Sequence, residues 1–134
     1  MQIPRIPSGR RLRATLLAAL LAGAPLAAMA QAAGDDRPYD AKLMRLSEIL
    51  GAIHYLRELC GADEGQLWRD QMKELLRTEG TSAIRRAKLV QEFNKGYRGY
   101  RRTYRSCTES AQTAVDRFIE EGAKLSNVMV REGS

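Results

Sequence analysis

This sequence is short of most of what an enzyme centre, a sheet or a membrane span needs. It holds one histidine, two cysteines, one tryptophan and two phenylalanines. His54 has no second histidine and no free thiol at ligand spacing, which excludes an ordinary metal site. No GxSxG elbow supplies it with a nucleophile. No segment alternates apolar and polar residues with period two, so strands are not expected and the chain reads as all-α. No internal repeat or low-complexity linker divides it. The apolar run "ATLLAALLAGAPLAA" is about fifteen residues long and broken by Pro25, short of the roughly twenty that cross a bilayer.

What stands at the start is an address. Arg5, Arg10, Arg11 and Arg13 form a basic opening without an acid, the apolar run follows, and Ala28-Met29-Ala30 fits the small-x-small pattern of signal peptidase. Residues 1–30 are expected to be a signal peptide cleaved after Ala30, with Gln31 the new first residue. An uncleaved anchor is the competing reading. Arg10-Arg11 is a poor match to a twin-arginine signal, and no cysteine at the cut supports a lipid anchor. The expected location is the periplasm, with no transmembrane span in the mature chain.

Cleavage changes the charge argument. The full chain has 22 basic and 16 acidic residues, net +6, and a pI near 9.7 that suggests nucleic acid. Four of those arginines leave with residues 1–30, so 18 basic residues face 16 acidic ones and the net charge falls to +2. Nucleic acid is therefore not an expected partner. The charge is unevenly placed, because residues 85–105 hold eight basic groups against Glu92 alone. Any attraction for anions is local.

The mature chain suits one small domain, with 31–38 a loose leader, 39–130 helical and 131–134 a frayed tail. Pro38 is placed for a helix's first turn. Tyr39, Leu43, Leu46, Leu50, Ile53 and Leu56, widened by Ile49, recur at steps of three and four and predict one face of a first helix. Gly61 is its expected stop. Asp63 with Gln66 makes a capping box for a second helix carrying Leu67, Trp68, Met72, Leu75 and Leu76, which Gly80 ends. Thr81 or Ser82 caps a third, with the stripe Ile84, Leu89, Phe93, Tyr97, Tyr100 and Tyr104. Gly96 and Gly99 inside it predict a kink near Asn94–Gly99. "SCTE" from Ser106 opens a fourth helix through Val115, Phe118, Ile119, Leu125 and Val128.

Short connections favour antiparallel neighbours. Three helices in alternation then bring Cys60, at the end of the first, to the same pole as Cys107, before the fourth. A structural disulfide in an exported chain is expected. The fold expected is a small antiparallel four-helix bundle with one disulfide, preceded by a cleavable signal peptide.

The most unusual stretch is "KGYRGYRRTYR", residues 95–105, with five basic side chains, three tyrosines and no acid. Tyr97, Tyr100 and Tyr104 fall on one face and are expected in the core, hydroxyls at its wet edge. Lys95, Arg98, Arg102 and Arg105 point elsewhere, and Arg101 snorkels beside the tyrosines. One reading is a solvated helix flank. The other is a guanidinium ridge that grips carboxylate or phosphate bidentately. "GYRG" matches the GxxG of KH domains, but that module needs a sheet this chain lacks. His54, one turn from Glu58, is expected on a helix flank. Asp116, Glu120 and Glu121 alternate with Arg117 and Lys124 and read as a solvated, salt-bridged face.

"YDAKLMRLSEILGAIHYLRELCG", "LWRDQMKELL" and "FNKGYRGYRRTYRSCT" resemble an uncharacterised family of small exported alphaproteobacterial proteins with two well-separated cysteines, here Cys60 and Cys107. The resemblance implies a periplasmic setting and a bridge, and carries no activity. The function expected is a non-enzymatic helper of the cell envelope that meets an acidic partner protein through Lys95–Arg105. The alternatives are a binder of anionic lipid, lipopolysaccharide or wall polymer, and an enzyme of a type the residues do not reveal. No cofactor and no metal are expected.

Overall fold

The computed structural model describes residues 36–133. The expected signal peptide and the cleavage point at Ala28, Ala30 and Gln31 lie outside the described residues. Within them the chain forms four helices and no strand: α1 Asp40–Leu59, α2 Leu67–Glu79, α3 Ala83–Thr103 and α4 Glu109–Glu132.

Local chemistry explains most boundaries. Gly61 ends α1 in the left-handed region, at φ +69°, where a side chain would be strained. Its N–H reaches Glu58 O at 3.1 Å and the next N–H reaches Arg57 O at 3.0 Å. Ser82 caps α3, its hydroxyl accepting the Arg85 N–H, and Thr108 caps α4 by accepting the Ala111 N–H. The cap of α4 is thus two residues later than Ser106. The expected capping box at Asp63 does not form either. α2 starts at Leu67, with Gln66 before it and no side-chain cap, and the turn is held instead by Glu64, which accepts from Arg57 Nε at 2.9 Å and from the Trp68 indole N–H at 2.6 Å. Pro38 lies just before α1, whose first turn begins at Asp40, and α4 runs past Val130 to Glu132.

α1 is the middle of the bundle. Ser47, Ile49, Leu50, Gly51, Ala52, Ile53, His54 and Leu56 are all buried, so its second half is covered on nearly every side rather than along one stripe. A helix enclosed in this way sits inside the core and does not border it. Two apolar clusters flank it. One joins Ile49, Ala52, Ile53 and Leu56 to Ala111, Ala114, Val115 and Phe118 of α4. The other joins Leu43 and Leu50 to Met72 of α2 and Leu89 and Phe93 of α3. The fourth helix therefore packs within its own chain. Ile119 and Ile84, expected on buried stripes, are exposed at 43% and 53%.

The kink expected in α3 is absent. The helix runs unbroken from Ala83 to Thr103, and Gly96 serves a close crossing instead. A Cβ at Gly96 would lie 2.0 Å from the Glu48 carbonyl oxygen, and one at Gly51 would lie 1.9 Å from that of Phe93. Two glycines, one from each helix, let the backbones of α1 and α3 touch.

The ends of α1 are tied differently. At its start Tyr39 OH donates to Glu79 at the end of α2 at 3.1 Å, and Lys42 meets Glu132 at the end of α4 at 2.9 Å. Arg85, only 3% exposed, reaches from the start of α3 to Asp40 at 2.7 Å and donates through Nε to the Glu79 carbonyl at 2.6 Å. It fills the inward position at which Ile84 was expected. At the other pole Cys60 and Cys107, 47 residues apart in sequence, form the disulfide. Beside it the Tyr55 hydroxyl donates to the Tyr104 carbonyl at 2.6 Å.

Candidate functional site

α3 carries the basic-aromatic stretch as far as Thr103, with Tyr104 as its extended C-cap and Arg105 in the link beyond, and the turn of the helix sorts it. The tyrosines face inward and are half-buried. Tyr97 lies edge-on to Tyr55, centroids 5.5 Å apart, and 5.7 Å from His54. Tyr100 stacks on Tyr104 at 6.1 Å and meets Phe118 edge-on at 5.1 Å. Burial is the main influence on the Tyr100 phenol and, despite Arg117 and Arg45 nearby, pushes its pKa above the ordinary value. These tyrosines are wedges that tie the end of α3 to α1 and α4.

The basic side chains divide into two sets. Lys95 is neutralised: Glu92 lies 3.0 Å away and Glu48, from α1, 3.4 Å away. Arg98, Arg101, Arg102 and Arg105 are exposed. No carboxylate among the described residues pairs with any of the four. Elsewhere pairing is common. Arg45 holds Glu121 at 2.7 Å and Glu48 at 2.9 Å, Lys73 holds Asp70 at 2.7 Å and Lys124 holds Glu120 at 2.6 Å. Glu121 thus crosses to α1 rather than joining a solvated face. Arg101 and Arg102 lie in the last turn of α3, where a cation complements the helix dipole by about 0.3–1 kcal/mol. That accounts for two of the four.

Two shallow grooves lie beside the first half of α4. One, of about 400 Å³, is lined by Tyr104, Glu109, Ser110, Thr113, Ala114 and Arg117. The other, of about 370 Å³, lies beside the disulfide between Arg57, Cys60, Ala62, Gln112, Val115 and Asp116. Among the described residues no cluster of three His, Cys, Asp or Glu side chains is placed to hold a metal ion. None of the described helices is long and apolar enough to cross a membrane.

His54 differs from its expected place. It is 1% exposed, enclosed between α1 and the Phe93 and Tyr97 rings of α3. Arg69 of α2 lies 3.4 Å from Nε2 and Glu58 Oε1 lies 3.8 Å from it. A guanidinium only donates, so Nε2 is the acceptor of a neutral ring. Burial, opposed by Glu58 and aided by Arg69, holds its pKa below the ordinary 6.5. The unfolded chain protonates as the pH falls through about 6.5, whereas the folded ring stays neutral to lower pH. His54 therefore contributes stability that is intact above pH 6.5. It is lost as the pH falls through the lowered value, by at most about 1.4 kcal/mol per pH unit. Denaturant unfolding from about pH 7.5 to 5 should show the margin of wild type over His54→Gln shrinking. Parallel curves would refute the assignment.

The sequence pattern did not reveal the burial of His54 and Arg85 or the close approach of α1 and α3 at Gly51 and Gly96. A glycine inside "ILGAI" and another inside the α3 stripe were the available signals.

The fold and its tie define a class: a small all-helical bundle closed by one disulfide between the end of its central helix and the link before its last. Residues 38–132 match the family described as "Protein of unknown function (DUF2385)", and the chain belongs to that family. No curated protein and no solved structure matches it.

Proposed function

We propose that this domain is a non-enzymatic interaction protein of the cell envelope that docks an acidic partner protein through Arg98, Arg101, Arg102 and Arg105. The observation that carries this reading is the contrast along one stretch of chain: Lys95 is matched by two carboxylates, and the four arginines after it, three on α3 and Arg105 in the link beyond it, by none. An exposed guanidinium offers a planar fork that fits a carboxylate with two parallel hydrogen bonds. In this reading the bundle is antiparallel, a signal peptide has been removed after Ala30, and the mature chain works in the periplasm. The disulfide supports that compartment, since such bonds persist where the surroundings are oxidising.

The test is crosslinking in intact cells with wild type and with Arg98→Glu, Arg102→Glu and Arg105→Glu combined. All three positions are exposed, so the variant should keep its helical circular dichroism. A protein crosslink present in wild type and lost in the variant supports the reading. Retention of the crosslink overturns it. Salt-sensitive flotation with anionic liposomes in place of a protein crosslink would favour the lipid-binding alternative.

A further inference from the structure

Gly99 sits within this arginine face, and the fold makes no use of it. It lies inside α3 and is not one of the positive-φ glycines. A Cβ built there would meet nothing within 4 Å. Alanine would fit that space and would favour the helix. Gly96, one turn earlier, shows what a glycine on this helix is used for: there another helix comes so close that an added Cβ would strike its backbone. Gly99 offers the same kind of notch with nothing in it. Its neighbours along the helix surface, three and four residues away, are Lys95, Gly96, Arg102 and Thr103. Thr103 Oγ1 is turned back to donate to the Gly99 carbonyl at 3.1 Å. Arg98 and Arg102 are one turn apart, roughly 6 Å along the helix, and Arg105 follows two residues past its end.

Resting on the reading above, we infer that the partner is presented as a helix, laid against α3 at Gly99, with carboxylates on the face it turns toward Arg98 and Arg102. The charge of the ridge selects an acidic surface. The one-turn step from Arg98 to Arg102 matches carboxylates carried one turn apart on one face of a helix. The missing side chain at Gly99 lets the two backbones come closer than a side chain would permit. A flexible acidic chain would gain from the charge alone and would need no notch.

The experiment uses the disulfide-intact domain with two synthetic probes of equal charge. One is an alanine-rich helical peptide of about 20 residues with glutamates at steps of three and four on one face. The other has the same glutamates on a proline-interrupted chain that cannot be helical. Wild type should bind the helical probe more tightly than the interrupted one. Gly99→Leu should weaken binding of the helical probe about tenfold or more, because its side chain fills the notch. Gly99→Ala should raise Tm by about 4–8 °C, so stability rises at a position where a longer side chain removes binding. A merely structural glycine would not separate the two.

Equal binding of both probes, with no effect of Gly99→Leu, overturns the helical partner and leaves the acidic-partner reading standing. If neither probe binds in a way that the arginine reversal abolishes, both fall. Binding only to vesicles containing phosphatidylglycerol also overturns both.

Discussion

Replacing Cys60 and Cys107 together by serine is expected to lower the unfolding free energy by about 4 kcal/mol. The bond spans 47 residues, and removing it frees the unfolded chain to explore conformations that the closed loop forbids. Little of the loss comes from packing, because Cys107 is exposed and Cys60 only leans on the α1–α4 cluster. A domain of this size is stable by roughly 5–15 kcal/mol in all, so the variant should unfold at far lower urea. Its m-value should be larger, since the reduced unfolded chain exposes more surface. Without the bridge, Tyr55 donating to the Tyr104 carbonyl is left holding the α3–α4 link to the end of α1. Amide exchange should therefore quicken first near residues 104–108. A stability change under about 1 kcal/mol would show that the bridge only decorates a pole held by other contacts.

The second large effect is expected at the crossing of α1 and α3. Gly51→Ala and Gly96→Ala should each cost about 3 kcal/mol or more, at the upper end of what overpacking does. Each added methyl meets a backbone carbonyl, at 1.9 and 2.0 Å respectively, and a backbone cannot swing aside as a side chain does. The helices must separate instead, opening gaps around Leu50, Phe93 and His54. The double variant should cost clearly less than the sum, because one separation relieves both clashes. Gly122→Ala is the control. Its methyl would meet only Leu46 Cδ1 at 3.5 Å and Ile49 Cγ2 at 3.7 Å, ordinary contact, and it should be neutral or stabilising. Equal small costs at all three sites, read from urea or thermal unfolding, would contradict the close crossing.

Much of this architecture was legible from short-range pattern. Steps of three and four located four helices, because a helix buries what it can along a repeat its own geometry imposes. Gly61 marked one end through its backbone conformation, at φ +69°, and Gly80 another, where a Cβ would lie 2.4 Å from the Leu76 carbonyl oxygen. The Cys60–Cys107 bond was expected from the only two cysteines, although the helices between them have 13 and 21 residues and are not the matched pair that simple alternation assumes. The caps were less legible. Glu64 is drawn to Arg57 and Trp68 in the turn where Asp63 was expected to cap, and Thr108 displaced Ser106, since several small polar residues compete at each helix start.

Which side of each helix faces which neighbour was a different kind of question. A stripe in α1 named one buried face, but three helices pack on α1, so Ser47 and His54 are enclosed too. Ile84 lies outside while Arg85 lies within, because Asp40 and Glu79 converge there from other helices and compensate its charge. Gly96 and Gly99 look alike in the chain; only the arrival of α1 beside one of them gives it a purpose and leaves the other open. Periodicity is a property of one segment and can be read along it. Enclosure, charge compensation and close approach are properties of pairs of segments, and they exist once the segments have met.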